Sequence, residues 1–322
     1  MKLRKFVACE NLREAQEKLL KGAGDRLSLF RGDASASYEL IPSALRKMNI
    51  KNVHGVDAKE PLYEFQQVAE EQRALAHVRA VREARQAGRP PKRSELRDAL
   101  YYSRLIHKDM SREEKIAIIE RDFPEWIPDD LVETASLAQH IGIPTRAYDW
   151  TTNLDMAVSF AAHGAIQEGL WAKETGNEVE WIRNARMAIH KFDVEAFNKL
   201  KGDNPNRLRI FQPDYSMNAN ARAQSGYLLH RRIKPPYDGL VDRRPFDVAL
   251  AGDAMEFGVG KEYDGEPVFT TCSVPAAYCN KIMRELLDEG ISMSTMFPTE
   301  VGTQLLEKAS RNYVNYERVF ER

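Results

Sequence analysis

A segment near the middle of the chain constrains the fold most, because it predicts a helix, a strand and a second helix in close succession. The first helix begins at Asp130 and is ended by Gly142. Residues 145–152 are then too few for a helix and have strand character. Asn153 is a favourable cap for a second helix, whose apolar positions recur at helical spacing. We therefore expect a helix–strand–helix unit over residues 130–162.

Apolar runs of strand length occur on both sides of this unit. We predict strands over residues 26–32, 187–192, 227–233, 247–251 and 268–274. A short helix is expected near Leu12, and an amphipathic helix begins near Cys279 and is ended by Gly290. No linker rich in Pro, Gly or Ser divides the chain. The sequence therefore predicts one α+β domain over residues 1–322, with a mixed or antiparallel central sheet flanked by helices.

A helical insertion is expected within that domain, over residues 61–121. Its first helix would begin at Pro61 and end at Gly88, since proline suits a first helical turn and glycine suits a helix end. Ser111 and Glu114 have the spacing of a capping box, which predicts another helix start.

Charge is balanced over the whole chain but not within the insertion. The 47 basic and 48 acidic residues give a net charge of -1, so no global field draws the protein to nucleic acid. Residues 79–104 nevertheless carry eight basic side chains against three acidic ones. This basic block is either a solvated helical face or a contact surface for an acidic partner or nucleic acid.

Neither a membrane segment nor a metal site is indicated. No apolar run reaches about 18 residues, and the apolar stretch at the start is too short for a secretory signal, so we expect a cytoplasmic protein with no membrane partner. Cys9, Cys272 and Cys279 have no paired spacing, and the histidines form no metal-binding motif. Buried, reduced thiols are therefore expected, and no metal.

Seven residues able to bind or react occur within thirteen positions of the helix–strand–helix unit. They are Gln139, His140, Thr145, Arg146, Asp149, Trp150 and Thr151. Arg146 and Asp149 could pair with each other, and His140 could cap a helix end. Alternatively, ligand sites form where loops leave a rigid scaffold, so we expect Gln139, His140, Arg146 and Asp149 to meet Arg31 and Gln224 around one cleft.

The same residues carry a resemblance to a known family. The chain resembles the FRG domain family over roughly residues 25–308. The resemblance is carried by Leu29–Gly32, Leu40–Arg46, Ala138–Thr151, Ala157–Ala161, Arg222–Tyr227, Gly290–Ile291 and Met296–Pro298.

A second, weaker resemblance is to ADP-ribosyltransferases of the arginine–serine–glutamate type. Those enzymes have a strand ending in Arg-Gly, a Ser/Thr strand followed by a helix, and a further strand beginning with an acidic motif. Arg31-Gly32, Thr151-Thr152 and Gln224 occur in that order here. This resemblance implies an ADP-ribosyltransferase-like fold and NAD as co-substrate.

Roles for single residues follow from that second resemblance. Arg31 with Gly32 would bind a phosphate or ribose oxygen, and Tyr148 or Trp150 would stack on the nicotinamide. Thr151 would support the site, and the charge-stabilising group would be Gln224, Glu300 or Asp149. The other residues expected to contact the nucleotide are Gln139, His140, Thr145 and Arg146.

Three functions remain open from the sequence. The first is an ADP-ribosyltransferase or NAD glycohydrolase acting in bacterial or phage conflict, as a toxin or in defence, with an unidentified macromolecular acceptor. The second is a non-catalytic module whose cleft holds a nucleotide or peptide. The third is a nucleic-acid-binding protein that uses the basic block.

Overall fold

A seven-stranded sheet forms the centre of the protein. The computed structural model describes residues 3–21, 26–42, 129–140, 145–201, 208–216, 218–232, 244–256 and 265–298, with single positions between 76 and 121 and between 311 and 316. The strands are β1 (Arg4–Ala8), β2 (Ser28–Asp33), β3 (Ala147–Thr151), β4 (Arg186–Asp193), β5 (Leu208–Phe211), β6 (Gly226–Arg231) and β7 (Phe269–Pro275).

The strand order β1-β7-β4-β2-β3-β6-β5 makes a mostly antiparallel sheet, in which only the edge pair β1–β7 is parallel. The pairing between β2 and β3 is much shorter than the others. Six residue pairs join β2 to β4, whereas β2 and β3 share the single pair Phe30 and Thr151. The two strands therefore diverge beyond that pair, toward the end of β2 that carries Gly32 and Asp33.

Helices cover both faces of this sheet. Within the described ranges they are α1 (Leu12–Leu20), α2 (Asp129–His140), α3 (Leu154–Glu174), α4 (Glu178–Asn184), α5 (Val194–Lys201), α6 (Ala219–Ala223), α7 (Phe246–Glu256), α8 (Cys279–Asp288) and α9 (Met293–Met296). One face packs against α1, α3 and α8, and the other against α5 and α7.

Side-chain alternation along β2 divides its residues between the two faces. Phe30 belongs to the core beneath α3, whereas Leu29 belongs to the core beneath α5 and α7. Arg31 follows two residues after Leu29, so these two share a face, as the sequence predicts. The Arg31 side chain therefore lies on the face that packs against α5 and α7, next to the point where β2 and β3 diverge.

The helix–strand–helix unit is confirmed. The predicted elements correspond to α2, β3 and α3, and the side chain of Asn153 caps α3 by accepting from the amides of Asp155 and Met156. The predictions for β2, β4, β6, β7, α1 and α8 are also confirmed, with ends shifted by a few residues. The α+β class, with a mixed sheet flanked by helices, is therefore confirmed.

One predicted strand is wrong, because residues 247–251 lie inside α7. Its buried residues Phe246, Ala249, Leu250, Asp253 and Ala254 recur at helical spacing. The apolar run within 247–251 is too short to reveal that period, which becomes visible only when the window extends to Ala254.

Most of the predicted insertion at 61–121 lies outside the described residues. The single domain over residues 1–322 stays a prediction. Two details of the insertion are nevertheless confirmed. Ser111 and Glu114 exchange the two hydrogen bonds of a capping box. Gly88 has a positive φ of 66°, as a helix-ending glycine does.

The three cysteines are buried, reduced thiols, as predicted. Burial raises the pKa of Cys9 and raises the pKa of Cys272 to about 12, so these thiols stay protonated near neutral pH. No helix in the described part of the chain is long and apolar enough to cross a bilayer.

Candidate functional site

A cavity of about 420 Å³ opens where β2 and β3 diverge. We call it the β2–β3 cleft. Its lining residues are Phe30, Arg31, Gly32, Asp33, Ala34, Tyr38, Gln139, Asp149, Trp150, Thr151, Ala157, Phe160, Gln224 and Phe297. This volume lies within the usual range for small-molecule sites, and the lining combines aromatic walls with a few charged and amide groups, as such sites do.

Arg31 spans the gap between the two strands. Its Nη1 donates a hydrogen bond to the backbone carbonyl of Asp149 at 2.9 Å. Its Nη2 lies 3.0 Å from the Asp33 carboxylate, and its guanidinium lies 3.9 Å from the centre of the Tyr148 ring. The side chain is 17% exposed, so part of this positive charge still reaches the cleft.

The Arg31–Asp33 pair continues into a row of buried polar groups on one face of the sheet. Nε2 of His190 lies 3.1 Å from Asp33 Oδ2, and its Nδ1 lies 2.9 Å from the hydroxyl of Thr271. Arg4 donates to that same hydroxyl at 2.9 Å. The row therefore crosses β2, β4, β7 and β1, from the cleft to the sheet edge.

Burial and charge act against each other at these groups. Burial alone would lower the pKa of Arg31, but Asp33, Tyr148 and Asp149 raise it above its ordinary value. Burial alone would raise the pKa of Asp33, but Arg31 and His190 hold it below its ordinary range. Burial lowers the pKa of His190 even though Asp33 opposes that shift. Near neutral pH the pair beside the cleft is therefore a fixed cation and a fixed carboxylate.

Gly32 is required by the close approach of α3 to β2. A Cβ built at Gly32 would lie 1.8 Å from the carbonyl oxygen of Ala157 and 2.6 Å from the amide nitrogen of Ala161. The alanines along α3 have small side chains, so the helix can lie against the bare backbone of β2. The Arg-Gly pair thus combines a cation at the cleft with a contact point for the helix.

Thr151 and Gln224 connect three elements at the other wall. The Thr151 hydroxyl donates to the carbonyl of Gln224 at 2.5 Å and accepts from the amide of Asn153 at 2.9 Å. The Gln224 side chain donates to the carbonyl of Met296 at 3.0 Å. These bonds connect the end of β3 to the turn before β6 and to α9.

Two further side chains in the lining have polar atoms with no bonding partner in the described part of the chain. Gln139 donates to the carbonyl of Ala147 at 2.9 Å, but its buried Oε1 accepts no hydrogen bond there. The indole Nε1 of Trp150 is buried and donates to no group there. Orphaned buried polar atoms are uncommon in native proteins, and both of these residues line the cleft.

Three other residues predicted for the site are not part of the lining of the cleft: Thr145, Arg146 and Tyr148. Tyr148 lies behind Arg31, and Thr145 and Arg146 are buried just before β3. His140 ends α2, but its side chain lies outside the described residues, as does Glu300 altogether. The structure therefore brings Arg31, Gly32, Gln139, Asp149, Trp150, Thr151 and Gln224 to one cavity.

Asp33 lines the cleft but was not among the residues predicted for the site. It lies two positions after Arg31 on the same strand, so the alternation of side chains predicts that the two share a face. Tyr38, Phe160 and Phe297 also line the cleft without having been predicted as site residues. Within the described ranges, no three His, Cys, Asp or Glu side chains are grouped so as to hold a metal ion.

Comparison with known proteins identifies one family. Residues 26–169 match the family model of the FRG domain, which includes β2, α2, β3 and most of α3. The resemblance to this family is therefore confirmed over residues 26–169, which is part of the predicted range of 25–308. Gln224 and Phe297 lie beyond the matched residues. No curated protein and no solved structure matches the chain.

Proposed function

With the FRG domain over residues 26–169 as the starting point, we propose that the β2–β3 cleft binds NAD and that the protein cleaves its nicotinamide–ribose bond, as an ADP-ribosyltransferase or NAD glycohydrolase. One observation carries this proposal. The Arg31 guanidinium and the Asp149 carboxylate line the same 420 Å³ cavity. A substrate with a negative diphosphate and a reacting centre that becomes positive needs both charges.

Arg31 is the group that binds the diphosphate. A guanidinium has five N–H donors, and three of them contact Asp33 and the carbonyl of Asp149. Two donors thus remain for phosphate oxygens. Because Asp33 already holds the guanidinium in place, little side-chain entropy is lost when the phosphate binds.

Asp149 is the group that stabilises the reacting centre. When the bond between the ribose C1′ and the nicotinamide nitrogen breaks, both electrons leave with nicotinamide and C1′ becomes oxocarbenium-like. A carboxylate near C1′ lowers the energy of that state. Water or an acceptor nucleophile then adds to C1′ and loses a proton. Asp149 is exposed at the rim of the cleft, whereas Asp33 is buried beneath Arg31 and beside His190.

Phe160 and Phe297 are the aromatic wall for the nicotinamide. Their rings form an edge-to-face pair with centroids 6.1 Å apart, and both are partly exposed in the cleft. The rings of Tyr148 and Trp150, which the sequence favoured for stacking, are both 2% exposed and pack within the aromatic core. The proposal therefore assigns stacking to the phenylalanine pair.

The test is to incubate the purified protein with NAD labelled on the adenylate half, with and without cell lysate, and to measure nicotinamide release and label transfer. We expect release from the wild-type protein and a loss of at least about a hundredfold in Asp149→Asn, as for the loss of one preorganised electrostatic group. Asp288→Asn is the matched control, because Asp288 is exposed on α8, away from the cleft. Equal activity of the two variants would remove Asp149 from the proposal.

A second candidate function is a non-catalytic nucleotide-binding module. Thr151, Gln139 and Gln224 each donate a hydrogen bond to a backbone carbonyl. These bonds hold the walls of the cleft together, so they favour a structural role for the three side chains. In that case NAD or another nucleotide binds, as measured by calorimetry, but no nicotinamide is released. A role in bacterial or phage conflict follows from the resemblance alone.

A further inference from the structure

A second cavity, of about 600 Å³, lies at the opposite end of β2 from the cleft. We call it the lysine cavity. Its lining residues are Lys5, Val7, Lys18, Lys21, Arg26, Lys191, Asp193, Glu266, Pro267 and Thr270. Five of these side chains are cationic and two are anionic. Lys18 pairs with Glu14 at 2.5 Å and Arg26 pairs with Glu195 at 2.7 Å, and both carboxylates are outside the lining. The cations left for a ligand are therefore Lys5, Lys21 and Lys191.

The strand register explains how these cations meet. Lys5 on β1 is paired with Thr270 on β7, and Thr270 is paired with Lys191 on β4. The three side chains thus form a row across adjacent strands on one face of the sheet. The end of α1, which packs over the same face, adds Lys18 and Lys21. The fold builds this concentration of charge from separate segments.

The positive charges are only partly neutralised. The Lys191 side chain is 9% exposed, and its Nζ lies 3.7 Å from an Asp193 oxygen, at the outer limit of an ion pair. The other oxygen of that carboxylate accepts the amide of Ala196. Within the described part of the chain, the side chains of Lys5 and Lys21 contact no carboxylate. A mostly buried ammonium with one distant counter-charge is costly unless an anion completes its surroundings.

From these observations we propose that the lysine cavity binds a small anionic ligand carrying at least two phosphate groups. Ammonium groups and the Thr270 hydroxyl are suitable donors to phosphate oxygens, and the volume suits a small molecule. None of the lining residues within the described ranges is aromatic, so recognition rests on the phosphates and not on a stacked base. The site is separate from the β2–β3 cleft and does not depend on its chemistry.

Calorimetric titration with inorganic pyrophosphate tests the proposal. We expect saturable binding of one pyrophosphate per chain in the wild-type protein. The double variant Lys5→Gln/Lys21→Gln should bind at least about tenfold more weakly, because two unpaired ammonium groups are lost. Both side chains are exposed, so the variant should keep its fold. It also leaves every residue of the cleft in place.

Lys173→Gln/Lys281→Gln is the matched control, because it removes the same two charges from exposed positions on α3 and α8. It should bind pyrophosphate with an affinity within about twofold of the wild-type value. Equal weakening in both double variants would overturn the proposal, since only net charge would then matter. Binding of a single-stranded oligonucleotide without binding of pyrophosphate would also overturn it, because the surface would then recognise nucleic acid.

Discussion

Arg31 Nη1 donates a hydrogen bond to the backbone carbonyl of Asp149 at 2.9 Å, across the gap where β2 and β3 have diverged. The two residues are 118 positions apart in the chain. A side chain thus replaces the backbone pairing that the sheet lacks at this point, and the same side chain lines the cleft. Arg31 therefore has a structural role that can be measured apart from any role in binding.

The first prediction concerns that structural role. Arg31→Ala leaves the Asp33 carboxylate, which is 6% exposed, without its main counter-charge. Breaking a buried ion pair from one side costs about 3 to 5 kcal/mol, so we expect a loss of this size in the free energy of unfolding. Urea denaturation monitored by circular dichroism measures it. Arg13→Ala, at a side chain that is 88% exposed, should change stability by less than about 0.5 kcal/mol.

The second prediction concerns Gly32. In Gly32→Ala the new methyl group would overlap the backbone of α3, so β2 and the helix must separate. We expect a loss of about 3 kcal/mol or more in the free energy of unfolding. Gly176→Ala is the control: it has open space and a φ of 73°, so its cost is strain alone, about 1 kcal/mol. A smaller loss at Gly32 than at Gly176 would contradict the close contact.

The sequence predicted most of the elements that surround the site, because their signals are local. A cap at Asn153 and apolar residues at helical spacing define α3, and side-chain alternation in β2 places Arg31 beside Leu29. Residues 247–251 show the limit of such signals, since a short apolar run fits either a strand or a helix. Neither edge strand, β1 or β5, was predicted, and each is only four or five residues long.

The gap between β2 and β3 that forms the cleft could not be predicted from the sequence. It exists because β2 and β3 share one residue pair, and strand register between distant segments depends on the packing of the whole sheet. The convergence of Arg31, Asp149 and Gln224 was predicted from loop positions, and the structure brings these three together. The pairing of Arg31 with Asp33 was not predicted, because the Arg-Gly motif ends at Gly32 and Asp33 lies just beyond it.

The third prediction concerns Thr151. Thr151→Val keeps the shape of the side chain but removes one hydrogen bond to Gln224 and one from Asn153, both inside the fold. We expect the free energy of unfolding to fall by about 1 to 3 kcal/mol, as when buried polar groups lose their partner. Thr152→Val, at the next and less buried position, should cost clearly less. Similar losses in both variants would show that the hydroxyl of Thr151 does not hold the β3–α3 turn.

The fourth prediction concerns pH and the buried row of polar groups. Burial lowers the pKa of His190, so the folded protein resists protonation that the unfolded chain accepts near pH 6.5. The unfolded state then binds more protons, and the free energy of unfolding falls as the pH drops from about 7 toward 5. Asp33 has its pKa held below the ordinary range, so its contribution is present above about pH 4 and is lost as the pH falls further.

Urea denaturation at several pH values between 5 and 7.5 separates His190 from the other histidines. In His190→Gln, the fall in stability between pH 7 and 5.5 should be smaller than in the wild-type protein, by up to about 1.4 kcal/mol per pH unit. His163→Gln is the control, because it removes an imidazole from α3 and leaves the row intact. If His190→Gln and the wild-type protein show the same pH slope, the imidazole beside Asp33 takes up its proton as readily in the folded state as in the unfolded chain.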